Sequence, residues 1–307
     1  MNDGGGGTDI QSGIVDITPD VMLPLFGRAG RTQNAHSVAS RLEANCLLIR
    51  GADSGPAAFV TIDSLYPSAP LVDAVVKASA ARGLTLDASA LLIVASHTHN
   101  APALDPSKPK LGAFDPTYLE FVADRISKCL VTLSKKTGGD IVGLAHGHSQ
   151  CDASVYRRKA VWGFDLARLR LSRRVVMSPN QSKRIGKTLK MALFTDGNGA
   201  LRAVLWTWPC HAVSEPDALA ISADFPGAVR DHSRRCFSDP TLPVLFIPGF
   251  SGDIRPATRA RVPLHRAGRW IGFGARFQNA ARTRTARLQR DLTAAFDRAS
   301  AGANTVF

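Results

Sequence analysis

The chain has 307 residues, 45% of them hydrophobic, which is enough to bury a full core, so disorder is not the default reading. No run of about 18 apolar residues occurs, and Met1 to Gly7 is polar and glycine-rich, so neither a membrane span nor a secretory leader is visible and a cytoplasmic location is expected. The 38 Lys and Arg against 25 Asp and Glu give +13, but with 7% aromatics and no reading module that charge describes a solvated basic face, and no nucleic-acid partner is expected.

In chain order, apolar β-branched runs alternate with alanine-rich helical patterns, which predicts an α/β layered domain, a mixed β-sheet flanked by helices. Residues 1–12 are expected to be disordered, 13–298 to form a single domain and 299–307 a tail. Asn45 to Arg50 and Ala57 to Ile62 read as strands joined by the turn Ala52-Asp53-Ser54-Gly55-Pro56, and Leu71 to Arg82 as a helix ended by Gly83. A strand follows at Ala90 to Ala95, and Pro116 opens a helix through Leu133. Strands are predicted at Ile141 to Ala145, Leu166 to Leu171, Met191 to Phe194 and Ala203 to Trp208, with Met177 to Thr188 as a mobile excursion. A helix at Pro226 to Phe237 and a strand at Val244 to Ile247 come next. The last element is a helix from Phe273 onward, with Phe273, Phe277, Leu288, Leu292 and Phe296 at helical spacing.

The five cysteines are scattered, odd in number and never paired as Cys-x-x-Cys, so neither a disulfide framework nor a thiolate cage is indicated. Candidate chemistry gathers at strand ends. Ser96-His97-Thr98-His99-Asn100-Ala101-Pro102 follows the strand ending at Ala95, and in an extended segment His97 and His99 project to one side. They share a metal, or one binds it while the other moves protons near neutrality. His146-Gly147-His148 has the same spacing without a partner acid and reads as structural. His211 ends the apolar strand Leu205 to Trp208 at a proline-marked turn. In Pro248-Gly249-Phe250-Ser251-Gly252-Asp253-Ile254-Arg255-Pro256, the glycines allow close backbone approach. Asp253 there is placed to order a histidine or catalytic group, and Arg255 to hold an anionic oxygen.

Four stretches in order resemble the N-terminal catalytic domain of neutral (non-lysosomal) ceramidases: Asp16-Ile17-Thr18-Pro19; Ser96 to Pro102; Cys210-His211 followed by Ile221-Ser222-Ala223-Asp224; and Gly252-Asp253-Ile254-Arg255-Pro256. The resemblance implies a Zn(2+) hydrolase acting on the amide bond of an N-acyl, lipid-like substrate, with zinc on His97 and His211 and catalysis by His99. It also implies a role near the active centre for Arg157. The chain departs from the family pattern at Arg255, which stands where ceramidases carry a catalytic serine, and after Asp253 it has neither Glu nor Tyr, the family's remaining ligands. Asp63 and Asp224 are therefore the expected replacement metal ligands. The expected mechanism is attack by metal-activated water, with His99 protonating the leaving amine and Arg157 or Arg255 steadying a developing oxyanion or a substrate anion. A non-catalytic relative binding a small anionic ligand or a partner through the same basic turn is the alternative.

Overall fold

The computed structural model describes residues 9–51, 55–136, 141–257, 264–277 and 281–305. Sheet one takes the order β1-β3-β4-β5, from β1 (Asp9–Asp16), β3 (Glu43–Arg50), β4 (Ala57–Ile62) and β5 (Leu91–Ala95); a short β2 (Ser37–Val38) pairs elsewhere. Sheet two runs β12-β10-β9-β6-β16, from β6 (Ile141–Gln150), β9 (Thr188–Asp196), β10 (Leu201–Thr207), β12 (Val244–Ile247) and β16 (Asn304–Thr305). The remaining larger sheet holds β7 (Ser154–Asp165), β8 (Arg170–Asn180), β13 (Ile254–Pro256), β14 (Leu264–Ala267) and β15 (Trp270–Phe273), while β11 (Ala220–Ile221) pairs with β2. The helices are α1 (Ala69–Ala80), α2 (Pro116–Ser134), α3 (Asp224–Cys236) and α4 (Arg282–Ala301).

Strand periodicity explains how these pieces stack. Along β3, Ala44, Cys46 and Leu48 face a core shared with α1 and α2, while Leu47 faces the other way. Along β10, Val204 and Trp206 face a core shared with α3 and α4, while Ala203 joins Leu47 and Leu245. The two sheets thus lie face to face with a helix pair on each outer side, so their strands are apolar on both faces. Buried Asn45 ties the sheets together, its Oδ1 accepting the Val244 amide at 2.9 Å. The first two helices start at side-chain caps: Ser68 Oγ accepts from the Leu71 amide, and an Asp115 carboxylate oxygen accepts from the Thr117 amide, with Pro116 at the first position of α2.

Several expectations change. Asp9 to Ser12 lie in β1 rather than in a disordered leader, and the final segment holds the end of α4 and the β16 pairing to β6 instead of a loose tail. Leu166 to Leu171 is no strand: its first four residues form the turn between β7 and β8, and β8 continues through the first four residues of the supposed excursion, to Asn180. The final helix begins at Arg282, because Phe273 closes the β14–β15 hairpin. His146 and His148 sit within β6, paired to β9, rather than at a strand end. Residues 52–54 of the first predicted turn lie outside the described residues. Among the described residues no helix is long and apolar enough to cross a membrane.

A candidate three-histidine metal centre

Parallel pairing places the relevant loops together. The ends of β4 and β5 lie side by side, as do those of β10 and β12, and each of these strands is followed by one of the sequence-predicted segments. After β5 the chain leaves extended geometry at once, with His97 at φ 64°. Convergence of His97 and His99 therefore comes from a left-handed turn rather than from a pleated strand, a conformation that costs a non-glycine residue energy and recurs at functional sites.

Each of the three rings is held by a backbone carbonyl. His97 Nδ1 lies 3.0 Å from the Leu65 oxygen, His99 Nδ1 2.9 Å from that of Gly27, and His211 Nδ1 2.8 Å from that of Ser251. A ring that donates from Nδ1 presents its Nε2 lone pair, and such outer contacts orient metal-binding imidazoles. One ring nitrogen from each of His97, His99 and His211 lies within 4.8 Å of the other two. The rings pack edge to face, with centroids 5.3 Å apart for His97 and His99 and 4.8 Å for His97 and His211. His99 Nε2 is buried with no protein partner. Three neutral imidazole nitrogens, one of them orphaned, are a donor set that a zinc-class ion takes.

Burial sets the protonation of the cluster. Desolvation pushes all three imidazoles below their ordinary pKa, His99 to about 3 with added repulsion from His97, and His211 to about 4 with added repulsion from Arg157. At neutral pH the rings are uncharged and ready to ligate. The unfolded chain binds protons near pH 6.5 and the folded one only near pH 3 to 4, so stability falls as pH drops from 6.5 toward those values. Chemical denaturation of metal-free protein at neutral and mildly acidic pH checks this: His99→Gln loses part of the acid-induced decline, and an unchanged decline contradicts it.

Arg157 joins the centre. Its Nη1 lies 3.2 Å from His211 Nε2, and its position is set by β7, whose neighbour β13 follows the Asp253 turn. The Arg157 amide donates to the Asp253 carbonyl at 2.8 Å, and the Asp253 carboxylate takes Arg158 Nε at 3.0 Å with Arg157 Nε at 3.6 Å. Asp253 thus orients Arg157 and does not reach the histidines. Arg255 lies on β13, directly after Ile254, whose carbonyl accepts the His211 amide. Its guanidinium donates to Met177 Sδ at 3.1 Å and sits 5.0 Å from the Phe277 ring centroid.

The two expected carboxylate ligands are placed elsewhere. Asp63 is buried against Arg230, with Oδ2 2.7 Å from Nη1 and 3.0 Å from the Glu43 amide. Burial raises the Asp63 carboxyl above its ordinary range against the pull of Arg230, while Asp63 and Glu43 outweigh the burial of Arg230 and hold its guanidinium above its ordinary value, so the arginine stays charged. Asp224, at φ 58° where α3 begins, accepts from the amides of Ser214, Glu215 and Phe225 and from the Ser214 hydroxyl. Its oxygens fix the loop beyond His211. Among the described residues neither carboxylate joins the histidine cluster.

Sequence reasoning missed the groups that tie this centre to the rest of the fold. Gly27 has φ 100°, and a Cβ there would meet His99 Nδ1 at 2.7 Å, so only glycine lets its carbonyl approach the ring. Arg31 Nη2 donates to the carbonyls of Phe26 at 2.6 Å and His99 at 2.7 Å, while Nη1 reaches Ala218 at 2.8 Å. One guanidinium thereby joins three loops around the histidines. No spacing rule marks either residue; a glycine and an arginine in a polar loop announce nothing by themselves.

No protein-family model matches the chain, and no curated protein matches it in sequence. In three dimensions it is similar to neutral ceramidase from Pseudomonas aeruginosa, with a TM-score of 0.70 at 17% identity over 97% of this chain and 45% of that one. A ceramidase complexed with C2 gives a TM-score of 0.68 at 18% identity, over 97% of this chain and 44% of that one. The chain therefore has a ceramidase-like α/β fold and spans less than half the length of either solved structure.

Proposed function

We propose that the protein is a zinc-dependent hydrolase that cleaves the amide bond of an N-acyl, ceramide-like or related substrate, using a centre formed by His97, His99 and His211. The observation that carries this reading is the convergence of three carbonyl-oriented imidazoles beside a guanidinium. Zinc in such a place lowers the pKa of bound water to about 7 and polarises an acyl carbonyl. The reading assigns His99 to metal binding rather than to protonating the leaving amine, because its Nδ1 is tied to Gly27 and its buried Nε2 lacks any protein partner. No carboxylate ligand is then needed, since three histidines and water complete a catalytic zinc shell.

Arg157 aims its Nη1 at the shared centre and is held from behind by Asp253, which suits it to stabilise negative charge growing on the acyl oxygen. The anion-binding role expected of Arg255 belongs to the approach, where its neighbours are Met177 and Phe277. The experiment is turnover of a panel of N-acyl amines and N-acyl amino acids by zinc-loaded protein. Arg157→Ala is expected to lower kcat/KM by roughly 10²- to 10³-fold with metal content unchanged. Loss of metal in that variant, or unchanged turnover, contradicts the assignment. One observation favours a second reading, a non-catalytic domain binding a small anion: Arg157 already donates toward His211 Nε2, the lone pair a metal would use. Anion binding without zinc uptake would establish that reading.

A further inference from the structure

A second group of metal-binding side chains lies on the outer helix pair and shares no residue with the histidine centre. His232 and Cys236 stand four positions apart on α3, so they occupy one face, and Asp297 meets them from α4. His232 Nε2 lies 2.7 Å from Asp297 Oδ1 and 3.3 Å from Cys236 Sγ, and Cys236 Sγ lies 3.9 Å from the same carboxylate oxygen. Around a tetrahedral zinc with bonds of about 2.3 Å to sulfur and about 2.0–2.1 Å to nitrogen and oxygen, donor pairs stand roughly 3.3–3.6 Å apart. The three observed separations bracket that range, so small side-chain rotations reach it. The His232 ring also meets the edge of Phe296 at 6.4 Å, which limits its orientation.

We propose that His232, Cys236 and Asp297 form a second metal site, taking a zinc-class divalent ion through thiolate, imidazole and carboxylate. Soft sulfur with borderline imidazole selects zinc or cobalt over magnesium or calcium. Cys236 and Asp297 are exposed and His232 is half-buried, which leaves a fourth position open to water. Binding releases the Cys236 thiol proton to solvent. It also replaces the His232–Asp297 hydrogen bond: Nε2 gives up the proton it donates to the carboxylate, and the neutral ring carries its one proton on Nδ1, so that Nε2 offers a lone pair. The ion bridges α3 and α4, which together cover the outer face of the second sheet, so its role is to clamp that layer.

Cobalt(II) titration of the reduced, metal-free full chain tests this, because a thiolate ligand gives an intense sulfur-to-cobalt charge-transfer band that an all-nitrogen centre cannot. Cys236 is the exposed one of five free cysteines, the other four being buried. The band is expected in the wild type and in the His97→Ala/His211→Ala variant, and is absent in Cys236→Ser. Asp297→Asn, checked for native circular dichroism, should bind cobalt at least about tenfold more weakly. Absence of the band in folded wild type, or its persistence in Cys236→Ser, overturns the proposal. Loss of the band only when His97 and His211 are replaced also overturns it, whereas failure of the first centre alone leaves the band in place.

Discussion

Replacing His99 with glutamine is expected to remove both the metal and the activity of the first centre. Of its two ring nitrogens, Nδ1 is already committed to the Gly27 carbonyl, so the buried Nε2 is the one left for an ion. Glutamine preserves bulk and polarity and supplies no imidazole lone pair. With His97 and His211 as the remaining ligands, zinc affinity falls by more than about 100-fold and turnover falls to background. A role confined to proton transfer predicts the opposite split: full metal content, with turnover lost and the pH profile altered. Metal analysis and steady-state kinetics on the same preparation distinguish the two. Since His97 keeps its Leu65 bond and His211 its Ser251 bond, the variant retains two of the three rings in place.

The second large effect concerns stability. Arg230 is buried and bridges Asp63 and Glu43, and Arg234 adds a forked pair to Glu43 at 2.8 and 2.9 Å. This network joins α3 to the start of β3 and the end of β4, and β4 pairs with β5, the strand that precedes His97. Arg230→Ala leaves the Asp63 carboxylate buried without its cation. Breaking such a pair costs about 3–5 kcal/mol, so the melting temperature is expected to fall by about 10 °C. Asp63→Asn/Arg230→Met removes both charges and is expected to recover a large part of that loss, because the cost lies in the stranded charge. Thermal denaturation of the single and double variants measures it, and additive losses would contradict the network. Bound metal in the folded double variant should match wild type, since Asp63 lies against Arg230 and outside the histidine cluster.

How far the sequence reveals this arrangement depends on what each residue answers to. The strands β3, β4, β5, β10 and β12 are legible as short apolar, β-branched runs bounded by turn residues, the helices α1, α2 and α3 from alanine-rich or helically spaced patterns, and Pro116 and Gly83 mark ends. The β7–β8 hairpin is not. Arg157, Arg158 and Lys159 interrupt its apolar pattern, and much of its surface, including Trp162, Leu171 and Val175, faces solvent rather than a core. Its charges read as a loop, although paired backbone holds it together. The positions of His97, His99 and His211 at strand ends are legible, and the structure brings them together. Which atoms tie them down is not, because Leu65, Gly27 and Ser251 contribute backbone carbonyls, and every residue type carries one. Asp63 and Asp224 mislead for a related reason: an acidic residue at a strand end looks the same whether it faces a metal, an arginine or a ring of amides, and tertiary packing decides which.

Zinc content of the purified Cys236→Ser protein, measured by elemental analysis after zinc loading and dialysis, tests the central claim most directly because the second proposed site is removed. The account predicts close to one zinc per chain, lost when His97, His99 and His211 are replaced together in a protein that keeps its native circular dichroism. Zinc content that survives that triple replacement, or no bound zinc at all in the Cys236→Ser protein, would contradict it.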